Sequence, residues 1–320
     1  MNKNILVANH HLASAGGTET YSYAIIEELV TKGYQVEYFT FHKGEFSARI
    51  EKDLQVPFMS RKKYDLILAN HNTCIDYLFT KGFIIQTCHG IYPDLEQPSP
   101  NADAYVAISE EVNLHLQKLQ YRSKIILNGI NIHRFTVTKP VSNTLQCVLS
   151  LCHSEEANDV LRAACAATGA TLLILDKYNH PVWEVEQTIN KADLVVGVGR
   201  SAYEAMACGR PVIIFDSREY YPSCGDGYVK DILEDSIRNN CSGRFSNKSY
   251  TAKDLIIELK KYNAQDSDYF RKFAEAHLNI QTAVREYLHY ADEFKNNVPA
   301  YTVLKLKKIW KHLTYRQKHS

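Results

Sequence analysis

The segment best equipped for chemistry runs from Asp193 to Asp216 and reads DLVVGVGRSAYEAMACGRPVIIFD. An apolar strand enters a turn carrying Gly197 and Gly199, Ser201 caps a short helix, and Gly209 ends that helix before a second apolar strand. Small residues at such a turn let a ligand reach the backbone, and the N–H groups of a helix start suit a phosphate. Arg200, just ahead of the cap, offers a guanidinium to a diphosphate. Glu204, one turn on, offers a carboxylate to paired ribose hydroxyls. The same spacing also fits a plain glycine turn in which Glu204 pairs with a neighbour, and spacing alone favours neither reading.

Short apolar runs alternate along the chain with stretches of helical period, the pattern of βαβ units and a parallel sheet. In the first half, strands are expected at Asn4–Asn9, Gln35–Thr40, Tyr64–Asn70, Phe83–Thr87, Ala104–Ile108 and Lys124–Leu127, with a helix from Thr18 to Lys32 that Gly33 stops. In the second half, strands are expected at Gln146–Leu151, Thr171–Leu175, Asp193–Val198 and Pro211–Phe215. Helices fall at Ser154–Thr168, Val182–Lys191 and Ser201–Cys208, and the sequence beyond Thr251 reads as helix only. Ser154 makes a good N-cap, with Glu155 and Glu156 in the first turn.

Open parallel sheets bind ligands at the carboxyl ends of their strands. His10, His11, Asn70, His71, Cys88, His89, Ser109, Glu110 and Asn128 all fall at such ends. The polar break Thr136–Asn143 reads as a linker. The expectation is an α/β fold of two Rossmann-like, doubly wound parallel-sheet domains facing a cleft: residues 1–138, residues 143–295, and a basic amphipathic tail at 296–320.

Composition narrows the function. With 37 Lys+Arg against 36 Asp+Glu the net charge is +1, which disfavours nucleic acid as a partner. At 45% hydrophobic and 23% charged residues the chain is a folded globular one, long enough for about two domains. No apolar run approaches the ~18 residues a bilayer span needs, and Asn9, His10 and His11 interrupt the first apolar stretch, which argues against a signal peptide. Eight cysteines without a CxxC pair point to reduced, mostly buried thiols in a cytoplasmic protein. Thirteen histidines show no HxxxH spacing, and the Asp266–Ser267–Asp268 triplet reads as a solvated helix start, so no metal is expected.

The tail has its own pattern. Lys305, Lys307, Lys308, Lys311, Arg316 and Lys318 occur with no acid, while Val303, Leu306, Ile309, Trp310 and Leu313 recur at helical spacing. Two readings stand side by side. One is a helix on an anionic membrane surface at the inner face of the membrane, each basic residue adding ~1 kcal/mol. The other is a final helix packed on the first domain.

The stretch Glu204–Ile213, EAMACGRPVI, resembles the EAMACG-x-PVI signature of the retaining nucleotide-sugar glycosyltransferases of family 4, which have the GT-B fold. Three further pieces occur in matching order: Gly16, Gly17, Thr18 and Glu19 resemble that family's GGxE loop, His89 its strand-end histidine, and Asn128, Gly129, Ile130 and Phe135 its entry to the linker. The similarity spans Asn4 to Asp216. It implies that Glu204 binds the nucleotide ribose, that the Gly199–Ser201 backbone holds the diphosphate, that Gly16 and Gly17 approach donor phosphate or acceptor, and that His89 contacts the transferred sugar. His10, His11 and Glu19 would lie on the acceptor side. Read without the family, Glu19 is a first-turn acid, and His89 is a common kind of structural strand-end histidine.

Two positions depart from the family pattern. The first glutamate of its Ex7E motif is replaced by Val196, and the loop Leu149–Asp159 lacks the usual Arg and Lys. Arg200 is expected to replace that charge, with Ser150 or His153 adding neutral hydrogen bonds. The implied activity is transfer of a sugar from a nucleoside diphosphate sugar, with UDP or GDP as the nucleotide, to a glycan or lipid-linked acceptor. It needs no separate cofactor and no metal, and it retains anomeric configuration. A sugar-nucleotide epimerase or phosphorylase is the competing enzyme, and Val196 suggests a third option, a non-catalytic nucleotide-sugar-binding subunit.

Overall fold

A computed structural model describes residues 3–14, 16–175, 182–219, 221–296 and 306. The described residues group into two α/β units. One holds residues up to Ile108, Val112–Ile126 and those from Gln281 onward; the other holds Ser109–Glu111 and Leu127–Ile280.

The first unit contains β1 (Asn4–Ala8), β2 (His11–Leu12), α1 (Gly17–Thr31), β3 (Gln35–Phe39), β4 (His42–Lys43), α2 (Glu45–Asp53), β5 (Leu66–Ala69), α3 (Asn72–Leu78), β6 (Ile84–Cys88), β7 (Ala104–Ala107), α4 (Glu110–Lys118, from Val112 onward) and β8 (Ser123–Ile125). Six strands form one parallel sheet in the order β3-β1-β5-β6-β7-β8. Ile5–Ala8, Leu66–Ala69 and Ile84–Cys88 are buried throughout, as strands covered on both faces must be. Beyond the sheet, β2 pairs with β4 in parallel, His11 opposite His42. Helix α1 starts from an extended Gly16, and Thr18 lies inside its first turn with its hydroxyl donating to Glu19 Oε1 at 3.1 Å.

The second unit contains β9 (Cys147–Ser150), α5 (Glu155–Thr168), β10 (Thr171–Ile174), α6 (Val185–Ile189), β11 (Leu194–Gly197), α7 (Arg200–Ala207), β12 (Val212–Arg218), β13 (Tyr221–Tyr228), α8 (Leu233–Arg238), α9 (Ala252–Leu259) and α10 (Asp266–His277). Its sheet runs β10-β9-β11-β12-β13, parallel except for β13. The antiparallel edge was not expected from the sequence. It follows from chain length: too few residues separate β12 from β13 for the crossover a parallel strand requires. Ser154 caps α5 as expected, its hydroxyl accepting from the Ala157 N–H at 3.0 Å. Asp266 and Asp268 sit in the first turn of α10, where the Asp266 carboxylate accepts from the Tyr228 hydroxyl at 2.8 Å.

Two expected boundaries move. The segment 136–143 is fastened to the second unit: the Thr138 N–H donates to Asn190 Oδ1, the Ser142 N–H to Asp193 Oδ1, and Arg210 holds the Lys139 carbonyl at 2.7 Å. Asn128–Phe135 likewise belongs there, with Ile130 and Phe135 in its core. The helix α11 (Ile280–Asn296), expected within 143–295, belongs from Gln281 to the first unit. Tyr287 bonds with Tyr21 (3.0 Å) and Thr87 (2.8 Å), and Lys3 donates to Asp292 at 2.7 Å. Apart from Asn296 and Leu306, the basic tail lies outside the described residues, so neither reading of it is tested. Among the described residues no helix is long and apolar enough to cross a membrane. All eight cysteines are free thiols, and all but the partly exposed Cys147 are buried.

Candidate active site

In the second unit the carboxyl end of β11 leads directly into α7. Gly199 adopts φ +60°, a conformation costly for any residue with a Cβ. Its N–H donates to the Cys241 carbonyl at 2.8 Å, and its own carbonyl already accepts from Ala202 and Tyr203. Gly199 is therefore the N-cap and Ser201 lies in the first turn, which corrects the expected cap at Ser201. The Gly199 N–H, held by Cys241, also drops out of the expected phosphate cradle.

Arg200 and Glu204 are brought together one turn apart. The guanidinium Nε donates to Glu204 Oε1 at 2.9 Å and its NH1 to the Gly129 carbonyl at 3.0 Å. Glu204 is 8% exposed. Burial pushes its pKa up, and the charges of Arg200 and then Arg134 pull it back down. Arg134, which sequence reasoning passed over although it lies in the quoted Asn128–Phe135 stretch, donates to Glu186 Oε2 at 3.1 Å and lies over the Trp183 ring at 4.6 Å.

Other expected donor-side residues divide. Ser150 is fully buried, its hydroxyl donating to Asn158 Oδ1 at 2.6 Å and accepting from the Cys152 N–H at 3.2 Å, so it holds the loop together instead of facing a ligand. The partly buried His153 is fixed through its backbone N–H on Asp216 Oδ1 at 3.2 Å. The other Asp216 oxygen accepts from Arg218 Nε at 2.9 Å. Arg218 thus brings a guanidinium to the loop that lacks its own Arg or Lys, a placement hidden in sequence because 65 residues separate it from His153. Val196, at the position of the missing glutamate, is fully buried in the core with Val148, Leu194 and Ile213.

The first unit gathers a second cluster at the carboxyl ends of β1, β3, β5 and β6. Glu19 is 2% exposed and accepts from His11 Nδ1 at 2.8 Å and Asn9 Nδ2 at 3.4 Å. A Cβ on Gly16 would come within 2.0 Å of Glu19 Oε2, so the glycine is needed to admit that carboxylate. A Cβ on Gly17 would meet nothing within 4 Å, so nothing in the described chain demands that second glycine. His89 Nε2 bonds Asn70 Oδ1 at 3.0 Å, and its ring meets the Tyr21 ring edge-on at 5.1 Å. The His10 N–H donates to His71 Nδ1 at 3.0 Å. Burial, reinforced by the His11 and His10 charges, holds His71 at about 3. Glu96, which sequence reasoning did not single out, is pushed up to about 7 by burial and by the charge of Glu19.

Both clusters also carry an unmet acceptor. Among the described residues, Asn9 Oδ1 in the first unit and Asn128 Oδ1 in the second are buried without a hydrogen-bond partner. A buried acceptor left unpaired is costly unless a ligand or water supplies the donor. No group of three or more His, Cys, Asp or Glu suited to a metal ion occurs among the described residues.

No protein-family model matches the chain, and no curated protein does. Solved structures do match. A glycosyltransferase from Rickettsia africae ESF-5 superposes with a TM-score of 0.64 at 13% identity, over 93% of this chain and 100% of that one. MnaA from S. aureus, solved with UDP, gives 0.56 at 11% identity over 93% and 98%. MurG from Acinetobacter baumannii gives 0.51 at 12% identity over 92% and 99%. At such identities the likeness concerns fold alone. The fold is GT-B, built from two Rossmann-like α/β units.

Proposed function

We propose that this chain is a glycosyltransferase that moves a sugar from a nucleoside diphosphate sugar to an acceptor. The observation that carries the reading is the buried Arg200–Glu204 pair at the carboxyl end of a parallel strand, where α/β sheets bind nucleotides. In this reading the Glu204 carboxylate accepts the ribose hydroxyls, and Arg200 with the N–H groups of the first turn of α7 stabilises the departing diphosphate. Such fixed donors are worth several kcal/mol in a transition state. The same reading lets this charge do the work of a metal and includes retention of configuration, as in the family 4 enzymes the sequence resembles.

UDP is the first nucleotide to test, given the UDP bound by the MnaA neighbour, with GDP the second. His89 would face the transferred sugar, and Gly16 and Gly17 a phosphate. His10, His11 and Glu19 would serve a glycan or lipid-linked acceptor in cell-surface glycan synthesis. Placement in the cytoplasm, at the inner face of the membrane, rests on the sequence reading alone.

The test is incubation with UDP- and GDP-sugars. Release of nucleoside diphosphate that depends on an acceptor supports transfer. Interconversion of the donor would identify an epimerase, and thermal stabilisation without turnover a binding subunit. Glu204→Gln should weaken nucleotide binding about tenfold, as loss of one charged hydrogen-bond acceptor predicts. Unchanged binding would remove Glu204 from the site.

A further inference from the structure

Beyond the carboxyl ends of β3 and β5 the first unit exposes two large aromatic rings whose planes meet at 71° and form a corner. Phe41 is 42% and Tyr77 53% exposed, with ring centres 5.6 Å apart. Both rest on the buried Phe39, which Tyr77 overlies nearly parallel at 5.0 Å and Phe41 meets edge-on at 4.9 Å. Adjoining exposed rings of this kind mark contact sites more often than scattered apolar residues do.

The rim of this shelf is imidazole. The His10 ring lies 5.3 Å from Phe41 and 5.2 Å from His42, and His10 Nδ1 bonds Thr73 Oγ1 at 2.8 Å. Thr73 lies one turn before Tyr77 on α3, so one helix positions both. The backbone fixes the remainder: the Phe41 N–H and the Thr40 hydroxyl each donate to the His10 carbonyl at 3.0 Å.

Charge decides between ligand classes. Burial first, then the His42 and His11 charges, holds His10 below the usual imidazole range. At neutral pH its ring is uncharged and carries one donor and one acceptor. The adjacent cation, Lys43, is engaged by Glu51 at 2.8 Å and lies over the Phe58 ring. An anionic ligand would find no free lysine or arginine in this set. A purely apolar ligand would cover the polar edge of His10 without pairing it. A pyranose satisfies both demands, having a C–H face that suits the negative face of an aromatic ring and a rim of neutral hydroxyls.

We propose that Phe41, Tyr77 and His10 form a subsite for a neutral pyranose ring, seated in the corner between the two aromatic rings and bonded at its rim by His10. This deepens the glycosyltransferase reading, and rests on it only in assigning that sugar to the acceptor.

Saturation-transfer NMR of the full chain with methyl β-glucopyranoside, methyl β-galactopyranoside and methyl N-acetyl-β-glucosaminide tests the subsite, with glycerol 3-phosphate as competitor and UDP and GDP titrated in parallel. At least one glycoside should receive saturation on its ring C–H protons. Phe41→Leu and Tyr77→Leu, which keep apolar bulk but remove the flat face, should each weaken that binding about tenfold. Glycerol 3-phosphate should not displace the glycoside, and nucleotide binding should stay as in the parent. Absence of glycoside binding, displacement by glycerol 3-phosphate, or binding unchanged in both variants would overturn the subsite. Glycoside binding that responds to the variants, in a protein that binds neither UDP nor GDP, would instead remove the transferase reading and leave the subsite standing. Both rings are exposed, so the variants should fold, and Tyr77→Phe, which restores the face, should recover binding.

Discussion

Arg200 and Glu204, one helical turn apart in α7, are joined by a 2.9 Å hydrogen bond with side chains only 10% and 11% exposed. Removing one partner of such a pair leaves the other charge buried alone. Arg200→Met should therefore cost about 3 kcal/mol in urea unfolding at pH 7. Adding Glu204→Gln to that variant should recover at least half of the loss. If the single variant is as stable as the parent, the pair is not buried as described.

Arg210, within the EAMACGRPVI stretch, is fully buried and donates to the carbonyls of Ala192 (3.1 Å), Asn190 (2.8 Å) and Lys139 (2.7 Å), and to that of Cys208. A lysine keeps the charge but cannot reproduce the planar fork. Arg210→Lys should destabilise by about 2 to 3 kcal/mol, the cost of stranded buried acceptors. Hydrogen exchange should rise at the Thr138 and Ser142 amides, because the segment they anchor is tied down in part by this guanidinium.

His71 accepts the His10 N–H through Nδ1 at 3.0 Å, which requires that nitrogen to be unprotonated. Its folded pKa of about 3 lies below the ordinary 6.5, so between these values the unfolded chain binds the extra proton. Stability is fully present above pH 6.5 and falls as the pH drops toward 3, with a slope approaching ~1.4 kcal/mol per pH unit. His71→Asn, whose amide oxygen can accept the same bond, should flatten that part of the curve. An unchanged acid limb would show that His71 is not held neutral.

Glu96 has the opposite sign. Its folded pKa of about 7 lies above the ordinary 4.5, so the folded state holds a proton that the unfolded state has lost. The contribution is fully present below pH 4.5 and disappears as the pH rises through 7. Glu96→Gln mimics the protonated acid and should stabilise the protein at pH 8 by up to about 3 kcal/mol, with little change at pH 4. Equal effects at both pH values would exclude the elevated pKa.

The sequence alone determined the features that depend on neighbours in the chain. Apolar runs such as Ile5–Ala8 and Leu194–Val196 announced buried parallel strands, because a strand covered on both faces has to be apolar on both. The three-residue gap between Arg200 and Glu204 placed them on one helical face, and Ser154 declared its cap. Caps were less secure where two small residues competed. Helix α1 starts from Gly16, where a Cβ would meet the Glu19 carboxylate, and not from Thr18, and Gly199 is chosen over Ser201, since its positive-φ entry is less costly for glycine.

Tertiary structure decided whatever depends on chain segments remote in sequence. The polar, glycine-rich stretch 221–228 carries no strand pattern and became the antiparallel edge because too few residues separate it from β12 for a parallel crossover. Segment 136–143 has the composition of a linker, yet Arg210, Asn190 and Asp193 fasten it to the second unit. Helix α11 follows the second unit in sequence and packs on the first, through Tyr287 and Asp292. The neutrality of His71, the raised pKa of Glu96 and the approach of Arg218 to His153 are likewise products of burial and of charges brought together by folding. Local pattern specifies elements because adjacent residues share one backbone, whereas electrostatic environment is a property of the packed surroundings and takes form only when those are assembled.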